Sequence, residues 1–182
     1  MELVDSAMSF EEAVEGSKAP VAILVSLTLV DVRYISFDGL LHKGQLVVHR
    51  DLEDDVRARF EDLLASNFPI EKVIPIIKYG WDDEASMQDN NTSCFNYRAI
   101  YPITRISNHS YGRAIDINPK LNPCLASNGV IQPLGAVYDV TKPGTFVNGN
   151  EAVNIFIFNG WTWGGSWTRP DWQHFEKDTQ PL

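Results

Sequence analysis

The 182-residue chain carries 24 acidic and 15 basic side chains, a formal net charge of −9, with 44% hydrophobic and 21% charged residues. That balance supports one globular domain with a real core, excludes a disordered segment, and lacks the basic footprint of a nucleic-acid binder, so no nucleic acid is expected as partner. Cys94 and Cys124 alone cannot build a CxxC-type zinc site, so any metal site must draw on His42, His49, His109 and His174 together with carboxylates.

Residues 1–19 read as a polar, acidic lead-in with one helical turn around Phe10 to Val14, ahead of a single domain over 20–182. Glu2, Asp5, Glu11 and Glu12 occupy the place of a positive n-region, so the N-terminus does not resemble a signal peptide. The apolar run Ala19 to Val30 is broken by Pro20, Ser26 and Thr28 and is too short for a transmembrane segment. Alternation from Val21 predicts a strand, and a parity change near Leu29 predicts a bulge in it. Phe37 to Leu40 read as a turn and Gln45 to Arg50 as the returning strand. Asp51 is placed to cap a helix with Leu52, Val56, Phe60, Leu63 and Leu64 at helical spacing, ended by Asn67-Phe68-Pro69. Val73 to Ile77 suit an edge strand or extended connection because of Pro75, and Trp81 to Ser93 read as a polar loop.

Further on, Ile115 and Ile117 alternate with Ala114, Asp116 and Asn118, which predicts a strand. A Gly/Pro/Asn-rich segment runs to about Asn150, Glu151 to Phe158 read as a helix closed by Gly160, and Trp161 to Trp167 and Asp171 to Glu176 read as final strands. The fold class expected is α+β, one domain with a small antiparallel sheet carrying the functional site, flanked by helices.

Two segments, Ser107 to Asp116 and Asp171 to Glu176, hold the residue types of a catalytic zinc site. Such a site takes three protein ligands and leaves a position for water, and two imidazoles with one carboxylate keep a net positive centre. His109, Asp116 and His174 supply that set, with Gly112 turning the chain so that His109 and Asp116, of opposite parity, can converge. Trp172, His174 and Glu176 share one face of a strand, which leaves Asp171 to act from the preceding turn, as a general base would.

These residues also carry a resemblance. Ser107, His109, Gly112, Ala114 and Asp116 match an SxHxxGxAxD signature, and Asp171 to Glu176 match a DWxHFE signature, of the VanY-like D-alanyl-D-alanine carboxypeptidases, which share the lysostaphin and hedgehog-type zinc fold. Stretches 37–49, 68–73, 86–98, 112–123 and 160–167 resemble further family blocks in family order. The resemblance implies a zinc peptidase acting on peptidoglycan stem peptides or muropeptides, with His109, Asp116 and His174 as ligands, Asp171 as base, and Arg98 polarising the scissile carbonyl and stabilising the oxyanion. The reaction expected is removal of terminal D-Ala from D-Ala-D-Ala. L-Ala-D-Glu or cross-link endopeptidase activity, and a non-hydrolytic zinc-holding module, are the alternatives.

Asp171 departs from the Glu that many relatives carry, and Cys124 stands where an aromatic residue is more usual. Cys94 and Cys124 read as buried small apolar residues or as a disulfide pair. Ser107 reads either as a hydroxyl orienting Arg98 or the metal-site loop, or as an ordinary turn serine. Trp163 and Trp167 read either as a substrate-facing cleft wall or as packing, and Trp161 as packing. His42 and His49 are not expected as ligands. A wall substrate leads to the expectation of an exported protein whose leader is absent from this chain, with cytoplasmic recycling of wall fragments left open, as is the oligomeric state.

Overall fold

The polypeptide is described in a computed structural model over residues 2–98 and 106–177. Its acidic first residues are built into the fold. Strand β1 (Glu2–Val4) pairs in parallel with the hairpin described next. Helix α1 (Phe10–Val14), at the position the sequence predicts, starts on a reciprocal cap in which Ser9 Oγ accepts from Glu12 N and the Glu12 carboxylate accepts from Ser9 N.

Val21 does not begin a strand. Pro20 leads into a single helical turn, α2 (Val21–Leu24), closed by the bond from Ser26 Oγ to the Ile23 carbonyl. The strand β2 (Leu27–Ile35) follows and pairs antiparallel with β3 (Leu41–His49) in unbroken register from Leu27 opposite His49 to Ile35 opposite Leu41. The expected bulge at Leu29 is absent. The parity change has another cause: Val30, Val32 and Tyr34 face the main core, while Leu27 and Leu29 face a second apolar cluster with Ala13, Val47 and Phe95. With both faces covered, the two parities are both apolar without a slip in the ladder.

Helix α3 (Glu53–Ala65) lays Val56, Phe60 and Leu63 on β2. Asp51 does not cap it. Leu52 occupies the N-cap position, Asp51 lies in a 3-10 turn over Arg50–Leu52, and its carboxylate instead reaches Arg113 at 3.1 Å. Beyond α3, the short strand β4 (Lys72–Val73) leads through a 3-10 turn over Ile76–Tyr79 into the segment read as loop. That segment is structured: α4 (Asp83–Gln88) is capped by Asp82, whose carboxylate accepts from Ala85 N, and β5 (Asn91–Thr92) pairs in parallel with β4. The helix is short and buries only Ser86 and Met87, too little apolar surface to imprint a helical period on the sequence.

In the C-terminal half, β6 (Ala114–Asp116), a small hairpin of β7 (Cys124–Leu125) and β8 (Ile131–Gln132), and helix α5 (Glu151–Ile157) precede β9 (Thr162–Trp163) and β10 (His174–Glu176). The two final strands are shorter than predicted, because Gly164–Ser166 form a 3-10 turn after β9 and Trp172 and Gln173 lie in a turn before β10. β10 is central in an antiparallel sheet of order β6-β10-β9. Phe175 of β10 stacks on Phe156 of α5 with ring centroids 4.1 Å apart and anchors the sheet in the main core. The architecture is thus a small single-domain α+β fold whose several sheets are each short. No helix among the described residues is long and apolar enough to cross a membrane.

Candidate metal centre

The register of β6 against β10 builds most of the site. Asp116 lies directly opposite His174 and Ile115 opposite Phe175. Burial of Ile115 and Phe175 in the core therefore turns Asp116 and His174 together to the other face, where opposed side chains are neighbours. The two-residue period of β10 adds Glu176 to that face.

His109 arrives from a separate element, the 3-10 turn Asn108–Tyr111. Ser107 caps this turn, its Oγ accepting from His109 N at 3.3 Å, and Gly112 ends it at φ 65°. Gly112 is pressed against β3: its carbonyl accepts from His49 N at 2.9 Å, and a Cβ there would stand 2.6 Å from that same nitrogen. Glycine is required both for the left-handed backbone and for the close approach. The long hairpin thereby serves as the template on which the His109 turn is laid.

The three side chains converge. His109 Nε2 is 3.1 Å from Asp116 Oδ2, His174 Nδ1 is 3.0 Å from Asp116 Oδ1, and the two ring nitrogens are 3.2 Å apart. All three residues are buried, and their ligand atoms lie within 4.8 Å of one another. The outward-facing ring nitrogens are engaged elsewhere. His109 Nδ1 donates to the Cys94 carbonyl at 2.6 Å, and His174 Nε2 donates to Glu176 Oε2 at 3.0 Å, an oxygen that also accepts from Asn108 Nδ2 at 2.7 Å. In the neutral imidazoles those bonds leave both inward nitrogens as lone pairs, facing each other and a carboxylate. Such an arrangement is repulsive without a cation between the donors, and two imidazoles with one carboxylate are a donor set suited to zinc.

The protonation of the site without metal expresses the same demand for positive charge. Burial acts to raise the Asp116 carboxyl, but the charge and hydrogen bonds of His109 and His174 outweigh it and hold it well below the usual carboxylate range. Burial acts to lower His174, yet its bonds to Asp116 and Glu176 raise it to about 10. Asp171 behaves differently. Burial pushes its carboxyl up to about 6 against the pull of His174, and its Oδ1 is sealed from solvent without a hydrogen-bond partner among the described residues.

Arg98, Ser107, His109, Asp116, Trp167 and Asp171 are among the residues lining a cleft of about 340 Å³ over the cluster. Arg98 is at its rim, paired with Asp83 at 3.1 Å, and its backbone is held by Ser110, whose Oγ accepts from Arg98 N at 2.9 Å. Ser107 makes no bond to the Arg98 guanidinium. It acts on the loop, capping the His109 turn and donating its backbone N–H to the Arg98 carbonyl. Trp167 is exposed beside His174, with ring centroids 5.3 Å apart. Trp163 is not at the cleft: it is buried against Phe175 and donates its indole N–H to the Trp172 carbonyl, so it packs the sheet from behind. Trp172 leaves the shared face of His174 and Glu176 and stacks on Tyr138. Trp161 is buried and bonded to Asp55.

Both cysteines are free thiols, each pushed up by burial. His42 and His49 lie elsewhere, with Asp5 and Asp38 around the first and Arg113 beside the second. Sequence reasoning missed the supporting roles of Glu176, Asn108, Ser110 and the Cys94 carbonyl. The i, i+2 spacing of His174 and Glu176 on one strand could have revealed Glu176, whereas the others depend on tertiary contacts.

No curated protein and no solved structure matches the chain. A family model described as D-alanyl-D-alanine carboxypeptidase matches residues 103–177, under half of the chain but the stretch that carries His109, Asp116, Asp171 and His174, and this supports a carboxypeptidase-like metallopeptidase at the level of the family.

Proposed function

We propose that the protein is a zinc-dependent peptidase hydrolysing peptidoglycan stem peptides, with VanY-like removal of terminal D-Ala from D-Ala-D-Ala as its reaction and an exported location to match that substrate. The observation that carries the reading is the convergence of three lone-pair donors beside a buried carboxyl, Asp171, whose Oδ1 has no hydrogen-bond partner among the described residues. His109, Asp116 and His174 would hold the metal. When bound, zinc supplies a Lewis acid that polarises the scissile carbonyl and acidifies water.

The remaining work falls to the chain. Asp171, ionised, accepts the proton of the attacking water and returns it to the leaving amine. Its burial raises its proton affinity into the range useful for both transfers near neutral pH. Arg98 offers a fixed cation at the cleft rim for the developing oxyanion, with Asp83 orienting the guanidinium in the free enzyme. Glu176 and the Cys94 carbonyl fix the tautomers of the two histidines, and Trp167 covers His174 from solvent.

Endopeptidase cleavage is favoured by one feature: Arg98 lines two further hollows besides the central cleft, one of which also shares Trp167 and Asp171 with it, which leaves room for a longer peptide. Mass spectrometry of defined muropeptides incubated with the zinc-loaded protein separates the readings. Loss of one terminal alanine supports the carboxypeptidase and an internal cut the endopeptidase. No cut by zinc-loaded protein removes the peptidase reading and leaves a zinc-holding module.

A further inference from the structure

Beyond the metal cluster, the β7–β8 hairpin lies along the turn that delivers Asp171. Leu125 N donates to the Pro170 carbonyl at 2.8 Å, Trp172 N donates to the Pro123 carbonyl at 3.2 Å, and Cys124 bridges Asp171. Between hairpin and turn runs a hollow of about 530 Å³ that shares Arg98, Trp167 and Asp171 with the metal-side cleft. A peptide whose scissile bond lies at Asp171 therefore has its neighbouring residues on one side in this hollow.

The chemistry of the hollow contrasts with the rest of the molecule. The metal-side cleft gathers carboxylates, namely Asp116, Asp171 and Glu176. Most described arginines are tied to acids, as in Arg33 with Glu61, Arg57 with Glu53, Arg59 with Asp62 and Arg113 with Asp51. Arg169, on the wall of the hollow, makes no ion pair or side-chain hydrogen bond among the described residues, in a chain with an excess of nine acidic charges. Apart from this arginine, and from Arg98 and Asp171, which it shares with the metal-side cleft, the hollow's wall is neutral, with Ser127 and Gln132 as hydrogen-bonding groups, and Asp171 is its one acid among the described residues. Pro170 restricts Arg169 to extended backbone, which narrows the directions from which the guanidinium can approach. An open guanidinium fork, in a hollow whose other cation, Arg98, is already paired with Asp83, is built for a carboxylate.

We propose that Arg169 is the specificity residue of this enzyme, binding a substrate carboxylate in the hollow between the β7–β8 hairpin and the Trp167–Asp171 turn. The inference rests on the peptidase reading above and deepens it. The carboxylate is either the C-terminal one of a stem peptide, as a carboxypeptidase requires, or the free α-carboxylate of a γ-linked D-Glu within it.

The test is calorimetric binding of three synthetic peptides to the zinc-loaded protein in an Asp171→Asn background, which stops turnover, with Arg169 intact or replaced in Arg169→Gln. The peptides are L-Ala-γ-D-Glu-L-Lys-D-Ala-D-Ala, its C-terminal amide, and its D-isoglutamine form. Arg169→Gln weakens the parent peptide about tenfold, the loss of one charge-assisted contact. One of the two amidated peptides binds both forms equally, and which one it is names the carboxylate. Equal weakening of all three peptides, weakening of none, or no binding at all overturns the proposal. A protein that shows this binding pattern while the Asp171 form cuts no peptide retains the carboxylate subsite and loses the peptidase assignment.

Discussion

Glu176 and the Cys94 carbonyl do the same job for two different histidines: each takes the outer N–H and leaves the inner nitrogen free to coordinate. Glu176→Gln keeps the hydrogen-bond acceptor and removes its charge, so zinc affinity falls about tenfold while the fold is retained. Competition with a chromogenic chelator measures this, and an unchanged affinity shows that Glu176 does not support the ligand. As the proposed base, Asp171 sets the acid limb of activity. It must be ionised to accept a proton, and burial has raised its carboxyl to about 6. A bound dication pulls that value down, so kcat/KM falls as pH drops through a point below 6, and the limb disappears in Asp171→Asn together with hydrolysis. A profile flat down to pH 4 removes Asp171 as the base. At this scale the sequence was informative wherever spacing alone decides. The two motifs contain all three converging donors, while Trp163 could not be distinguished from a cleft residue because strand parity does not reveal which face looks inward.

Between residues and fold stand the short elements that aim the site. β6 and β10 are three residues each, yet their register opposes Asp116 to His174, and a slip of one residue would put the two side chains on opposite faces, one of them in the core. The His109 turn depends on Gly112 lying against β3. Gly112→Ala forces a left-handed backbone on a residue with a Cβ and drives that atom into His49 N and the Val48 carbonyl carbon, costing at least about 2 kcal/mol. Urea unfolding reads the loss of stability and elemental analysis the loss of zinc. A variant with wild-type stability shows that the turn can be laid elsewhere. Elements with a large apolar face, such as β3 and α3, were legible because burial imprints a period. α4 and β5 were not, because a two-turn helix held by an Asp82 cap, and a two-residue strand of Asn91 and Thr92, bury too few apolar residues to show one. The apparent bulge at Leu29 was misleading for the opposite reason, since two separate cores cover both faces of β2.

Across the whole molecule, the first strand is fastened by a titratable group. His42 on β3 lies 2.8 Å from Asp5 and 3.1 Å from Asp38, and Tyr34 also donates to Asp5. Burial acts to lower His42, but its bonds to Asp5 and Asp38 raise it above the ordinary 6.5. A raised histidine contributes stability that is full below 6.5 and is lost as pH rises through the folded-state value. The thermal midpoint therefore declines as pH rises from about 6 toward 8, and His42→Gln flattens that decline. A midpoint that rises over this range excludes the clamp. The acidic N-terminus that read as a polar lead-in is thus joined to the sheet by charge, a long-range pairing that sequence order does not display. The metal centre joins more distant parts of the chain. His109 and Asp116 precede the exposed stretch around Leu134 to Val140, and His174 follows it. With zinc held as proposed, a chain nicked once in that stretch has both halves gripping one ion, so the cut protein elutes from a sizing column as a single particle, and a chelator weakens the hold on the C-terminal fragment.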